Sequence, residues 1–154
     1  MAYAEGTEVT PERSQQEIAA VIRKYGADGF VSGWQGNRAM VEFFADARRV
    51  RFLLTLPDDP KAYAKTPGGR FRDERGQRTA LEAEIRRRWR ALALVIKAKL
   101  EVVQSGITTF ETEFMANIVM PDGRTVAEHV VPVIKESYDR GQVSGRLLAI
   151  EASL

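Results

Sequence analysis

The feature that most constrains this chain is a run of apolar side chains in its second half. Leu81, Ile85, Trp89, Leu92, Ile96, Leu100 and Val103 recur at spacings of 4, 4, 3, 4, 4 and 3. Only an α-helix gathers such positions on one face, because every third or fourth side chain returns to the same side. Thr79-Ala80-Leu81-Glu82 has the form of a capping box, in which Thr79 and Glu82 satisfy each other's free amides. The spacing predicts one helix over 80–104, closed by Gly106. Its stripe must be buried, either as core against a sheet or as a seam for self-association.

Upstream, the period changes from helical to alternating. Arg38 to Ala45 sets Ala39, Val41 and Phe43 against Arg38, Met40, Glu42 and Phe44. Arg49 to Leu56 sets Val50, Phe52, Leu54 and Leu56 against Arg49, Arg51, Leu53 and Thr55. Phe30 to Gln35 is short and aromatic, Gly36-Asn37 is a hairpin signal, Ala45-Asp46-Ala47 reads as a second turn, and Pro57 ends the run. These segments predict a three-stranded antiparallel meander with one apolar face that helices must cover.

The remaining elements follow from caps and breakers. Thr10-Pro11 opens a helix over 11–25, with Ile18, Val21, Ile22 and Tyr25 on one face and Gly26 as its stop. Residues 1–9 carry no pattern and are expected to fray. Residues 57–78 read as a long loop that turns basic at Arg70, Arg72, Arg75 and Arg78, with Phe71 among them. Thr108-x-x-Glu111 and Thr125-x-x-Glu128 are further capping boxes. The first opens a short helix with Phe110, Phe114 and Ile118, the second a last helix with Val126, Val130, Val133, Ile134 and Tyr138. Pro132 should kink that helix or end its first segment. Gly141 stops it, and Leu147, Leu148 and Ile150 form a short apolar tail. The expected fold is α+β in a single domain over 1–154: an N-terminal helix, a three-stranded antiparallel meander, a long amphipathic helix and shorter C-terminal helices.

Composition narrows the chemistry. At 154 residues the chain can bury a core without disulfides or metal. It has no cysteine and one histidine, His129, which excludes thiol nucleophiles and zinc sites built from several Cys or His. No phosphate loop, dinucleotide fingerprint or nucleophile elbow is present. No apolar run reaches the roughly 18 residues of a membrane span, and no apolar stretch follows a basic start. The expectation is a cytoplasmic protein with no membrane partner, no cofactor, no metal and no catalytic residue. Asp58-Asp59, Glu111 with Glu113, and Asp122 with Glu128 are paired carboxylates that a metal-dependent nuclease could use, and that solvated acids and helix caps explain more simply.

Charge is distributed unevenly. Residues 1–69 balance, residues 70–100 carry 10 basic and 4 acidic side chains, and residues 101–154 carry 4 basic and 8 acidic. A basic block suits an anionic partner, nucleic acid first. On the long helix, Arg86, Arg90 and Lys97 fall within about 40° of one another, and Arg87 extends that ridge. On the meander, Arg38, Arg49 and Arg51 share one face, with Trp34 available to stack on a base. The loop arginines Arg70, Arg72, Arg75 and Arg78 would close over the groove between helix and meander. The plainer alternative is a solvated helix face and an Arg-rich loop.

Through Trp34–Arg38, Arg48–Pro57, Arg87–Leu100 and Ser105–Phe114 the chain resembles a widespread group of small uncharacterised bacteriophage and prophage proteins, over about residues 9–141. The resemblance implies a bacterial host cytoplasm and a role in replication, recombination or countering host defence. It supplies no catalytic residues. A looser, architectural likeness is to phage single-strand annealing proteins, which implies single-stranded DNA in a positive groove between sheet and helix, and a homo-oligomer. The first expectation is therefore a non-enzymatic protein that binds or anneals single-stranded DNA. The second is an inhibitor or adaptor that docks on a host or phage protein through its apolar, acidic C-terminal region.

Overall fold

A computed structural model describes residues 4–145. The elements are α1 (Pro11–Tyr25), β1 (Gly29–Gln35), β2 (Arg38–Ala45), β3 (Arg48–Thr55), a 3-10 turn (Pro60–Tyr63), α2 (Glu74–Gln104), α3 (Phe110–Phe114), a second 3-10 turn (Met115–Asn117) and α4 (Val126–Arg140). This is the α+β order that the periodicity predicts.

The strands pair antiparallel in the order β1-β2-β3. Register places Phe43 between Phe30 and Val50, and Val41 between Ser32 and Phe52. Opposed residues in antiparallel strands share a face. Ala39, Val41, Phe43, Ala45, Val50 and Phe52 thus form one buried layer, which meets Ile18 and Ile22 of α1 and Trp89, Ala93, Ile96 and Leu100 of α2. Aromatic rings tie in α3: Phe43 meets Phe114 edge to face at 5.7 Å, and Phe110 lies 4.8 Å from Phe114. The outer edge of β3 is not left bare, since Val119 N–H donates to the Arg49 carbonyl at 2.8 Å and Ile118 bridges to Val50. In the second hairpin, Asp46 and Ala47 both adopt positive φ, as a two-residue turn between twisted strands requires. The Tyr25 hydroxyl donates to Asp46 at 2.7 Å. Burial, then that bond, pushes the Tyr25 phenol up to about 12.

Several boundaries differ from expectation. α2 begins at Glu74, not 80, because Asp73 caps it: its carboxylate accepts from Gly76 N–H at 2.7 Å. Thr79 lies inside the helix. Residues 57–73 are folded, not a featureless loop. Asp59 caps the first 3-10 turn, Lys65 bridges to Phe71, and the Arg72 guanidinium donates to the carbonyls of Tyr63 and Lys65. The tight turn between Lys65 and Phe71 needs Gly69 at φ +83, a conformation other residues resist. Residues 4–9 are packed as well: Ala4 is buried and the Thr7 carbonyl accepts from Arg86 Nε at 3.4 Å.

At the next cap, Thr109 and not Thr108 accepts the helix amide, from Thr112, which frees Glu111 to pair with Arg48 at 2.7 Å. Thr125 and Glu128 form the predicted capping box. The Thr125 amide, donating at 2.6 Å, is the main reason the Glu128 carboxyl sits below its ordinary range. α4 runs through Pro132 without a break. Proline cannot donate to the Glu128 carbonyl four residues back, and Arg124 takes that role at 2.8 Å. The apolar residues Leu147, Leu148 and Ile150 lie outside the described residues. Among those described, no helix is long and apolar enough to cross a membrane.

Candidate nucleic-acid interface

The basic residues singled out by sequence occupy three separate places. Arg38, Arg49 and Arg51 do share one sheet face, the one turned away from α1 and α2. Their availability differs. Glu42 is buried on the same face, 2.8 Å from Arg51 and 3.5 Å from Arg49. Arg51 also donates to the Gly123 carbonyl at 2.9 Å, tying the turn before α4 to the sheet. Two of the three arginines therefore serve a buried carboxylate. Arg38, exposed at the end of β2, has no hydrogen-bond or ion-pair partner among the described residues. Around them Val31, Phe44 and Leu53 are exposed, so this face is largely apolar. Trp34 is not on it. Its register partner is Ala39, on the helix-covered side, although the indole itself is 80% exposed beyond the edge of the core.

The ridge on α2 is turned into the molecule. Arg90 pairs with Glu17 of α1, and Arg86 reaches the Thr7 carbonyl. Arg87 and Arg88 share Glu84, at 2.6 and 2.8 Å, and Arg88 also donates to the Thr55 carbonyl. These bonds, that of Arg87 first, hold the Glu84 carboxyl down at about 2. Glu84 in turn raises the Arg87 guanidinium above its ordinary value. Among the described residues, Lys97 alone of the ridge is exposed and without an ion-pair partner. Because α2 packs on the opposite side of the sheet from Arg38, Arg49 and Arg51, the two sets do not line a common groove.

The third place is the folded basic segment. Residues 61–78 carry Lys61, Lys65, Arg70, Arg72, Arg75 and Arg78 against Asp73 and Glu74, a net of +4. Arg72 is used internally, but the side chains of Arg70, Arg75 and Arg78 meet no carboxylate or carbonyl among the described residues. Phe71 is 75% exposed, with the Lys65 ammonium 4.8 Å from its ring centre. The sequence pattern marks all four arginines of this segment, Arg70, Arg72, Arg75 and Arg78, and assigns Phe71 no role. The signal for it was an aromatic between two arginines.

The acidic pairs are occupied with other work. Asp59 caps a turn, Glu113 binds Lys99 at 3.0 Å, and Asp122 meets His129 at 2.9 Å. The Arg124 amide first, and then His129, lower the Asp122 carboxyl. No group of three or more His, Asp or Glu side chains is placed to hold a metal ion among the described residues.

No protein family, curated protein or solved structure matches the chain.

Proposed function

We propose that this protein binds nucleic acid, single-stranded DNA first, through the basic segment 61–78. The observation that carries the reading is the contrast in neutralisation: Arg70, Arg75 and Arg78 stand exposed without partners among the described residues beside an exposed Phe71, while most other arginines are spent inside the fold. Guanidinium groups grip phosphates in bidentate fashion and stay charged. An aromatic face beside them offers a base a stacking platform, which favours an unpaired strand. Arg38 and Trp34, both near the first hairpin, are the next candidates for contact. The wider role, annealing or protecting single strands in phage replication or recombination, rests on the resemblance of the sequence.

The test is fluorescence anisotropy with labelled single- and double-stranded oligonucleotides over a range of salt. Replacing Arg70, Arg75 and Arg78 together by Ala should weaken binding to every sequence. It should also reduce the slope of log affinity against log salt by about 2, near 0.7 for each lost contact to a single strand. Undiminished binding in that variant would move the interface elsewhere, and no binding at low salt would end the reading.

One observation favours a second reading, docking on a protein. Val131, Ile134 and Tyr138 lie at positions i, i+3 and i+7 of α4 and are all exposed, Tyr138 at 85%. Such a stripe suits a partner's apolar groove, and the neighbouring acids Glu136 and Asp139 suit a basic rim. Loss of host-protein capture on Tyr138→Ala, in a protein that binds no nucleic acid, would favour it.

A further inference from the structure

The fold treats the two edges of its sheet differently. On β3 the outward carbonyls of Arg49, Arg51 and Thr55 accept from the Val119 amide, the Asn117 side chain and the Arg88 guanidinium. β1 has no such cover. The two-residue turn makes Gln35 and Arg38 a hydrogen-bonded pair, and bonded pairs recur at every second residue, Gly33 with Met40 and Val31 with Glu42. The amides and carbonyls of Phe30, Ser32 and Trp34 therefore point away from β2, and they meet no partner among the described residues. Such an edge is a template for another strand, and proteins ordinarily blunt it with charge, proline or a covering element. β1 carries neither charge nor proline, and residues 31–35 are exposed.

Beside that edge lie a projecting side chain and a hollow. Trp34 stands on the helix-covered side, in register with Ala39, and is 80% exposed. At the other end of the same strand, between α1 and β1, a hollow of about 220 Å³ is lined by Ala19, Ile22, Ala27 and Phe30, with Arg23 among its walls. Apolar walls beside a guanidinium suit an aromatic ring.

A second copy of the chain answers both features at once. An antiparallel β1, related by a two-fold axis at Ser32, sets Phe30 against Trp34 and Ser32 against Ser32, so the outward groups of both strands are bonded. The neighbouring registers set Trp34 against Asp28, or Phe30 against Gly36, both outside β1. In the central register Trp34 of each copy stands beside Phe30 of the other, at the mouth of its hollow. On the opposite face the exposed Val31 meets Gly33 of the other copy, above whose backbone there is open space. The charges agree with this direction. Asp28 and Arg38 are exposed and belong to no ion pair among the described residues. The antiparallel pairing brings their α-carbons to about 10 Å across the interface, within reach of an arginine, and does so twice. A parallel neighbour puts the two helix-covered sides on opposite faces and leaves both hollows empty.

We propose that β1 is a homodimerisation edge, which joins the three-stranded sheets of two copies into one and seats Trp34 of each copy in the α1–β1 hollow of the other. The basic segment 61–78 lies outside this interface, so the inference stands apart from the nucleic-acid reading. Trp34 and Arg38 then serve the dimer before any nucleic acid.

Sedimentation of the full chain, from low to high micromolar concentration, should show a monomer–dimer equilibrium. Trp34→Ala removes a side chain that the monomer leaves in water. It should raise the dimer dissociation constant roughly tenfold or more while circular dichroism stays native. Ala19→Phe, which fills the hollow from the α1 side, should weaken the dimer as well. Asp28→Arg and Arg38→Asp should each weaken it, and together restore it. Amide exchange at Phe30, Ser32 and Trp34 should slow as concentration rises, while Val31 and Gly33, already bonded to β2, stay protected throughout. Orientation is read by thiol cross-linking with a short reagent, for which a chain without cysteine is a clean background. Ser32→Cys should link to itself on the axis, and Gln35→Cys, about 20 Å from its counterpart, should not. A monomer at every concentration overturns the proposal and leaves the edge to a different polypeptide. A dimer indifferent to Trp34→Ala overturns it too, and self-linking by Gln35→Cys overturns the antiparallel register.

Discussion

The arginines of α2 and those of residues 70–78 are alike in sequence and opposite in circumstance. Arg87, Arg88 and Arg90 each meet a carboxylate, at Glu84 or Glu17, and Arg86 meets a backbone carbonyl. Arg70, Arg75 and Arg78 meet none among the described residues. The first group surrounds Trp89, which is buried, so its guanidinium groups rise from the rim of the core. There desolvation favours pairing, and the partner on another element is rewarded for coming close. The second group projects from a turn and an overhanging helical end, where water already solvates each charge. Density of basic residues therefore measures little by itself. What matters for an anionic partner is the charge left over after the fold has used its share.

The largest expected effect tests whether the α2 arginines belong to the architecture. Trp89 holds that run against the sheet, and Trp89→Ala should cost about 3–5 kcal/mol of stability through the cavity it leaves. Urea denaturation followed by circular dichroism measures it. A loss below about 1 kcal/mol would mean that the run is not anchored to the core, and the comparison would fail on its first side.

A smaller effect comes from protons. The Glu84 carboxyl titrates near 2 in the folded protein, below its ordinary 4.5, because Arg87 and Arg88 bond to it. A group whose folded value is depressed stabilises fully above its unfolded value and loses that contribution as pH falls. The window is therefore about pH 4.5 down to 2. With the arginine partners about one-third exposed, solvent screening leaves about 1–2 kcal/mol. Glu84→Gln should lower stability by that amount at pH 7 and by much less near pH 2. A gap between the two proteins that does not narrow with acid would show that Glu84 is not held as an ion.

How much of this was legible depends on the distance over which each feature is decided. The meander could be read because alternation and the Gly36-Asn37 turn are local, and the core stripe of α2 because seven apolar residues repeat it. The start of α2 could not, because residues 74–79 overhang the core and carry no apolar period, while Thr79-x-x-Glu82 imitates a cap within the helix. Trp34 was readable in principle: a two-residue turn sets Gln35 opposite Arg38, which puts Trp34 with Ala39 and away from the arginine face. Glu42 beside Arg51 also follows from register. Arg90 with Glu17 and Arg48 with Glu111 do not, since each pair joins elements whose packing no local pattern encodes. The site suffered more than the fold for this reason. Its boundaries depend on which charges find partners far away in sequence.

The smallest expected effect on stability falls on the other group of arginines. Arg70, Arg75 and Arg78 sit on the surface, and none of their guanidinium groups bonds within the described fold. Surface changes without such ties typically fall within about 0.5 kcal/mol. Replacing all three by Ala should therefore leave the urea midpoint nearly unmoved at moderate salt. At low salt it should rise slightly if anything, because three like charges within one short segment repel one another and screening then weakens. Arg72 supplies the control within the same turn: its guanidinium donates to the carbonyls of Tyr63 and Lys65, and Arg72→Ala should loosen the segment where the triple change does not. Amide exchange at Lys65, Thr66 and Arg70 reports that difference. If the triple variant destabilises the protein as much as Trp89→Ala does, those arginines are structural after all, and charge without an internal partner ceases to mark a surface set aside for a ligand.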